Sequence, residues 1–108
     1  MSIRIGNRRV AEMGSSKRSE LTVSGRKALL VIRTLSKGAS FRIMKALKRR
    51  PLDVSTLSRK LNLSQPYTSQ CVSDLQHLGL IEVNYEPGKK GTRKICAEKI
   101  SRITIEIK

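Results

Sequence analysis

Two stretches of helical periodicity, separated by a tight break, occupy residues 53–78. Their apolar positions recur at spacings of three and four residues, namely Val54, Leu57 and Leu61 in the first stretch and Thr68, Val72, Leu75 and Leu78 in the second. Each stretch is therefore predicted to be a helix with one apolar face, and the two faces are expected to pack together.

The second helix of this pair is expected to start sharply. Ser64 is placed to accept a hydrogen bond from a first-turn amide as the N-cap residue, and Pro66 falls in that first turn, where a missing N–H costs little. The outer face that follows carries hydrogen-bonding groups with little charge, a composition that suits contact with the base edges of DNA.

Helical periodicity also fills the preceding part of the chain. Gly38 interrupts it and Pro51 stops it, so we expect two helices, roughly 25–36 and 39–49. The second of these ends in a cluster of cations, namely Lys45, Lys48, Arg49 and Arg50. Cations there favour the negative end of the helix dipole, and the same side chains are able to meet phosphates, so a solvated helix end and a phosphate contact remain equally open.

After Gly79 the pattern changes to the alternation that is typical of strands. Ile81, Val83 and Tyr85 alternate with polar residues, as a half-buried strand requires. Pro87 and Gly88 are expected to end this strand.

The return run is expected to add Ile95 and Ala97 to the same buried face. Lys89, Lys90 and Arg93 crowd the tip of the resulting hairpin and its flank. A basic tip on a stiff hairpin fits contact with a nucleic-acid backbone, although the same residues would also serve as an ordinary solvated turn.

A third strand is predicted at the C-terminus, where Ile103, Ile105 and Ile107 alternate with Thr104 and Glu106. This strand needs a partner. It is able to add to the hairpin or to the hairpin of a second subunit, since an unpaired apolar edge invites association.

The charge of the chain narrows the choice of partner. There are 23 Lys and Arg residues against 8 Asp and Glu, a formal net charge of +15 on 108 residues. Self-repulsion of this size opposes compactness unless a polyanion is near, and nucleic acid is the leading candidate because basic residues release its counterions. No stretch reaches the roughly 18 apolar residues of a spanning helix, and no signal-peptide pattern opens the chain, so we expect a soluble, cytoplasmic protein with no membrane partner.

Residues 1–19 lack a sustained apolar period and mix glycine and serine with basic residues. We predict a flexible basic arm over 1–19 and a single domain over 20–108. The arm is either a solvated terminus or a segment that touches DNA phosphates or a minor groove.

Little in the composition indicates a metal site, a cofactor or an enzyme. Cys71 and Cys96 are too few for a disulfide scaffold or a four-ligand zinc site, and His77 alone accompanies them. Such cysteines are small hydrophobic fillers or, alternatively, a redox switch. We find no paired carboxylates, no activated nucleophile and no phosphate-binding glycine loop, so no catalytic residue, metal or cofactor is predicted.

Residues 29–99 resemble the arsenic-repressor-like (ArsR) branch of winged-helix transcription regulators. RTLSKGASFRIMKAL is similar to the opening helix pair of that family, LSRKLNLSQPYTSQCVSDLQHLGLIEV to its helix-turn-helix and first wing strand, and PGKKGTRKI to its wing. The resemblance implies a small α+β winged helix-turn-helix domain, with about four helices followed by a β-hairpin wing and a C-terminal strand. It also implies a recognition helix, about 65–78, in the major groove and a wing, about 86–93, on the adjacent backbone.

The resemblance and the polar outer face of the second helix together give the candidate site. The candidate base contacts are Gln65, Pro66, Tyr67, Ser69, Gln70 and Ser73. The candidate backbone contacts are Ser64, Thr68, Lys89, Lys90, Arg93, Lys48, Arg49 and Arg50.

The chain also departs from the family pattern. Metal-sensing members carry a cysteine pair at the start of the third helix, where this chain has Asp53 and Ser55, so soft-metal sensing is not expected. The family usually ends in a helix that pairs across a dimer, whereas ISRITIEIK predicts a strand, and the chain looks like a shortened variant. We still expect a homodimer. Its seam is predicted at Leu29, Leu30 and Ile32 or, as a second possibility, at Ile103, Ile105 and Ile107.

The leading hypothesis is a sequence-specific transcription regulator of double-stranded DNA. A nonspecific nucleic-acid architectural protein would fit the charge equally well, and a winged-helix interaction module of a transcription assembly would direct that charge at an acidic partner. Winged helices support all of these outcomes, so the operator, the effector and the direction of regulation remain open.

Overall fold

The computed structural model describes residues 19–89 and 91–108. The elements run in the order β1 (Glu20–Val23), α1 (Gly25–Ser36), α2 (Gly38–Leu47), β2 (Leu52–Asp53), α3 (Val54–Leu61), α4 (Gln65–His77), β3 (Ile81–Gly88), β4 (Gly91–Glu98) and β5 (Arg102–Ile105). The predicted α+β plan of four helices, a hairpin and a C-terminal strand is thereby confirmed. Of the predicted basic arm, only Ser19 falls within the described residues.

The apolar faces predicted for the helices form the core. Ile43 of α2, Leu57 of α3 and Val72 and Leu75 of α4 are fully buried. In α1 the smaller apolar side chains face the core. Ala28 and Val31 are buried, while the larger Leu29, Leu30 and Ile32 stay exposed. The second predicted helix ends at residue 47 rather than 49, so Lys48, Arg49 and Arg50 follow it instead of closing it.

The two helices of the central pair end in the same way. Asn62 follows α3 with a φ of 59°, and Gly79 follows α4 with a φ of 78°. This left-handed turn lets Leu63 N–H bond to Ser58 O at 2.9 Å and Leu80 N–H bond to Leu75 O at 3.0 Å. Both bonds use carbonyls that a helix end would otherwise leave without a partner, so α3 stops abruptly and α4 can leave it at an angle.

The hairpin corrects the predicted phase of the return strand. Val83 lies opposite Cys96 and Tyr85 opposite Lys94, and directly opposed residues of an antiparallel pair point to the same face. Cys96, not Ile95 or Ala97, therefore joins the buried face of β3. The reason is the turn: Gly88 pairs with Gly91, and the length of the loop between them fixes the register.

β3 is also longer and more exposed at its far end than predicted. It runs through Pro87 to Gly88, and Tyr85 is 66 % exposed. Proline is tolerated because β3 is an edge strand of the sheet β2-β4-β3, where a missing N–H removes no ladder hydrogen bond on the outer side. The outer half of the hairpin thus projects from the domain without a core beneath it.

The C-terminal strand is confirmed, but neither predicted partner is right. β5 pairs in parallel with β1, with Leu21 opposite Ile103 and Val23 opposite Ile105. Ile103 and Ile105 are buried in the core, while Ile107 lies beyond the strand and is exposed. In the part of the chain that the structure describes, no helix is long and apolar enough to cross a membrane.

Candidate nucleic-acid interface

The N-terminus of α4 is built by its cap. Ser64 Oγ accepts a hydrogen bond from Tyr67 N–H at 3.2 Å, as predicted for the N-cap residue, and Pro66 lies in the first turn. The cap satisfies a backbone donor that the helix itself leaves free. The first turn therefore stands as a fixed, solvent-facing platform.

The predicted base contacts share this platform. Gln65, Pro66, Tyr67 and Gln70 are exposed. Ser69 and Ser73 are half-buried and lie on successive turns of the same helix. All six predicted residues thus lie outside the buried stripe of α4, and their uncharged side chains are spread over its solvent-facing half.

Thr68 does not belong to this surface. Its side chain is fully buried, and its Oγ1 donates to Ser64 O at 2.8 Å. The predicted contact between Thr68 and a DNA backbone is wrong, because the apolar stripe of α4 turns this residue into the core and its hydroxyl is already used within the helix.

Gln70 has a partner that the sequence analysis missed. Its Nε2 donates to Asp74 Oδ1 at 3.1 Å, and Lys37 Nζ lies 3.8 Å from Asp74 Oδ2. Lys37 stands between α1 and α2. The spacing of four between Gln70 and Asp74 was a visible signal of the first contact, whereas nothing local in the sequence indicated the second.

A side chain of α2 makes a hydrogen bond to the C-terminal end of α3. Arg42 Nη2 donates to Leu61 O at 2.9 Å, which occupies a terminal carbonyl of α3 just before the turn into α4. This hydrogen bond links α2 to the C-terminal end of α3. Arg42 was not among the predicted functional residues.

Asp53 connects α3 to the hairpin. Its carboxylate accepts from Thr56 N–H at 3.3 Å and from Thr56 Oγ1 at 2.6 Å, so it caps α3. Arg93 Nη2 of β4 lies 3.1 Å from the same carboxylate. The hydrogen bond from Thr56, with a further contribution from Arg93, lowers the pKa of Asp53 below its usual value.

This pair changes the role expected for the wing cations. The aliphatic part of Arg93 lies against Gly88, where a Cβ would come within 2.7 Å of Arg93 Cγ, and its guanidinium group reaches Asp53 on the neighbouring strand β2. Lys89 stays exposed at the tip, and Lys90 lies outside the described residues. Of the predicted wing contacts, Lys89 is thus exposed at the tip and Arg93 is held by Asp53.

Arg49 and Arg50 are exposed after α2, as phosphate contacts require. Lys48 is exposed too but lies near Glu98, whose pKa is raised by burial and lowered in part by the charge of Lys48. Lys60 of α3 joins Arg49 and Arg50 around an open pocket, and the sequence analysis did not single it out.

Both cysteines are buried. Cys71 is 1 % and Cys96 0 % exposed, and burial raises the pKa of the Cys96 thiol to about 11. His77 is exposed near the end of α4, with Nδ1 3.2 Å from Ser73 O. Within residues 19–89 and 91–108 there is no group of His, Cys, Asp and Glu side chains that could hold a metal ion.

An apolar surface lies on the side formed by α1, α2 and β5. Ile32 and Phe41 are exposed there, and Leu29 and Leu30 of α1 are exposed as well. Beside them is an open groove of about 280 Å³, lined by Val31, Ile32, Leu35, Ser36, Phe41, Ile103 and Ile105. The first predicted dimer seam is therefore available on the surface of the folded chain.

Comparisons with known proteins agree with this architecture. Reduced HlyU from Vibrio cholerae N16961 is 22 % identical, with a TM-score of 0.59, covering 82 % of this chain and 81 % of that chain. Another structure of HlyU from the same organism is 26 % identical, with a TM-score of 0.54, covering 68 % of this chain and 75 % of that one. The transcriptional regulator HlyU from Vibrio vulnificus CMCP6 is 24 % identical, with a TM-score of 0.57, covering 86 % and 82 %.

No curated protein matches the chain significantly by sequence. Residues 41–83, which run from α2 through the helix pair into β3, match the model of the bacterial regulatory proteins of the arsR family. Residues 41–83 are therefore similar to the bacterial regulatory proteins of the arsR family, and the chain has a winged helix-turn-helix fold.

Proposed function

We propose that this protein is a transcription regulator that binds double-stranded DNA sequence-specifically as a homodimer. α4 lies in the major groove, and the β3–β4 hairpin lies on the adjacent backbone. The observation that carries the proposal is the outer face of α4, which starts at the capped Ser64 and presents uncharged hydrogen-bonding side chains to solvent. Such side chains discriminate base edges, whereas cations mainly contact phosphates.

The contacts divide into two groups. The base contacts are Gln65, Pro66, Tyr67, Ser69, Gln70 and Ser73. The backbone contacts are Ser64, Lys89, Lys90, Arg93, Lys48, Arg49 and Arg50. Within the second group the exposed Lys89, Arg49 and Arg50 contribute most, because Arg93 and Lys48 already face carboxylates.

A homodimer is supported by the apolar surface of α1. Leu29 is 58 % exposed, Leu30 and Ile32 each remain more than a third exposed, and Ile32 also lines the groove at Phe41. One recognition helix reads few base pairs, and a two-fold pair of such domains reads two half-sites.

The rival function is nonspecific binding of nucleic acid, which the formal charge of +15 favours on its own. Selection of bound fragments from random and genomic DNA by the purified protein separates the two. We expect an enriched inverted repeat. Uniform recovery of fragments, with affinity that follows only salt and length, would refute sequence-specific regulation.

A further inference from the structure

A basic pocket lies at the corner between the end of α2, β2 and α3, and it includes Arg49 and Arg50, two of the proposed backbone contacts. It is open, has a volume of about 260 Å³ and is lined by Ala46, Arg49, Arg50, Leu52 and Lys60. Its described lining therefore combines three cations with a small apolar floor. Arg49 and Arg50 come from the turn after α2, and Lys60 comes from the last turn of α3.

The charge of this pocket has no internal counterpart among the described residues. The ion pairs in that part of the chain engage Lys37, Arg93, Arg102 and Lys108 and none of the pocket cations. Like charges that converge without an anion repel one another, so the arrangement favours an external anion.

The nearest acidic residue in sequence is Asp53, and it is directed elsewhere. Asp53 follows Leu52 on β2, and successive side chains of a strand point to opposite faces. Its carboxylate is engaged by Thr56 and Arg93. Leu52 thus contributes an apolar wall to the pocket without bringing a negative charge into it.

The side chains present fit a phosphate. The guanidinium groups of Arg49 and Arg50 can each donate paired hydrogen bonds to phosphate oxygens, and Lys60 adds a point charge. An open mouth suits a phosphate that belongs to a polymer, because the rest of that polymer stays outside.

We propose that the pocket of Arg49, Arg50 and Lys60 binds a phosphate of the DNA backbone beside the groove occupied by α4. In a helix-turn-helix the first helix crosses the backbone while the second lies in the groove, and Lys60 is on that first helix, α3. The inference rests on the proposed function. It adds Lys60 to the contacts and makes the α2–β2 corner a single phosphate site.

The test compares Lys60→Ala and Arg49→Ala/Arg50→Ala with a matched control, Arg26→Ala/Lys27→Ala, which removes two exposed charges from α1. Dissociation constants are measured against salt on the selected site and on random duplex. The pocket variants are expected to lower the affinity for both duplexes alike. They also reduce the slope of log affinity against log salt by about 0.9 for each phosphate that is no longer neutralised, whereas the control changes the slope less. Thermal unfolding checks that these surface variants remain folded.

A neutral methylphosphonate placed at successive backbone positions identifies the phosphate. When the methylphosphonate stands at one position beside the half-site, the wild-type protein should bind the duplex no more tightly than Lys60→Ala does. Equal slopes for the pocket variants and the control overturn the proposal. Saturable binding of inorganic phosphate at the arginine side chains, without any pocket-specific loss on DNA, overturns it as well and assigns the pocket to a free anion.

Failure of the proposed function gives a different result. Gln70→Ala would then lose no more affinity on the selected site than on random DNA, whatever the pocket variants do. A pocket variant with reduced salt slope in that case supports the phosphate site on a nonspecific DNA-binding protein.

Discussion

Gln70 and Asp74 are joined by a hydrogen bond of 3.1 Å from Nε2 to Oδ1, one turn apart on α4. An ionised carboxylate only accepts hydrogen bonds, so the amide NH₂ of Gln70 must face Asp74, and Oε1 faces away. Lys37 approaches the other carboxylate oxygen at 3.8 Å. Asp74 thereby orients a proposed base contact and connects it to the junction of α1 and α2.

Asp74→Asn should relax base discrimination at the position that Gln70 reads. An asparagine can donate as well as accept, so both orientations of the Gln70 amide become available. We expect the preference for the selected base to fall by up to ~1–3 kcal/mol, the size of one good bidentate contact. Affinity for random DNA should be unchanged or higher, since a negative charge leaves the interface. Binding to duplexes that differ at single positions measures this effect.

Glu82→Gln is the control for that change, because it removes one exposed negative charge from β3 without touching Gln70. If both variants alter discrimination equally, Asp74 acts only through its charge and does not position Gln70.

Gln70→Ala and Lys89→Ala should separate base reading from general affinity. Loss of the Gln70 amide is expected to cost ~1–3 kcal/mol on the selected site and little on random DNA. Loss of the exposed Lys89 ammonium should lower the affinity for both duplexes alike and reduce the slope of log affinity against log salt by about one unit. Titrations at several salt concentrations check both expectations, and equal losses on the two duplexes for Gln70→Ala would remove α4 from base reading.

Leu29→Glu should convert a dimer to a monomer. The side chain is 58 % exposed, so the change leaves the core intact, yet it places a charge in the proposed seam. Sedimentation at micromolar concentration measures the outcome, and Tyr85→Glu on the exposed half of β3 serves as the matched control. A wild-type protein that is monomeric, both free and on DNA, would contradict the dimer.

Acid should destabilise the protein in part through Asp53. Because the pKa of this carboxyl is lowered in the folded state, its stabilising contribution is fully present above the usual aspartate value of about 3.9. It is lost as the pH falls through the lower folded value. Asp53→Ala should cost ~1 kcal/mol at neutral pH because α3 is then left without its cap. Urea unfolding across the acid range measures this contribution.

Asp53→Asn is the informative companion variant. Asparagine also caps helices, so α3 should keep its cap at neutral pH while the variant loses this part of the acid dependence. A pH dependence identical to that of the wild type would show that Asp53 contributes nothing through its charge.

The native protein should resist thiol reagents. Cys71 and Cys96 are buried, and a pKa of about 11 leaves almost no thiolate at Cys96 near neutral pH. We expect slow alkylation that becomes fast in denaturant, and DNA affinity that mild oxidant does not change. A reversible loss of binding on oxidation, absent in Cys71→Ser, would instead identify a redox switch.

The sequence alone determined the features that depend on local periodicity and capping. The apolar faces of α3 and α4, the cap at Ser64 and the C-terminal strand follow from residues a few positions apart. The exposed polar side of α4 follows in the same way, because a helix that buries one stripe must present the other.

The tertiary structure decided what depends on residues far apart in the chain. Arg93 reaches Asp53 across 40 positions, and Ser101 Oγ donates to Ser19 O across 82. Local sequence patterns do not show which distant residues come into contact. The sequence therefore placed Arg93 at the wing tip and missed β1 as the partner of β5. The face of each hairpin residue was likewise set by the register of the turn, and a register shifted by one residue turns every side chain to the opposite side.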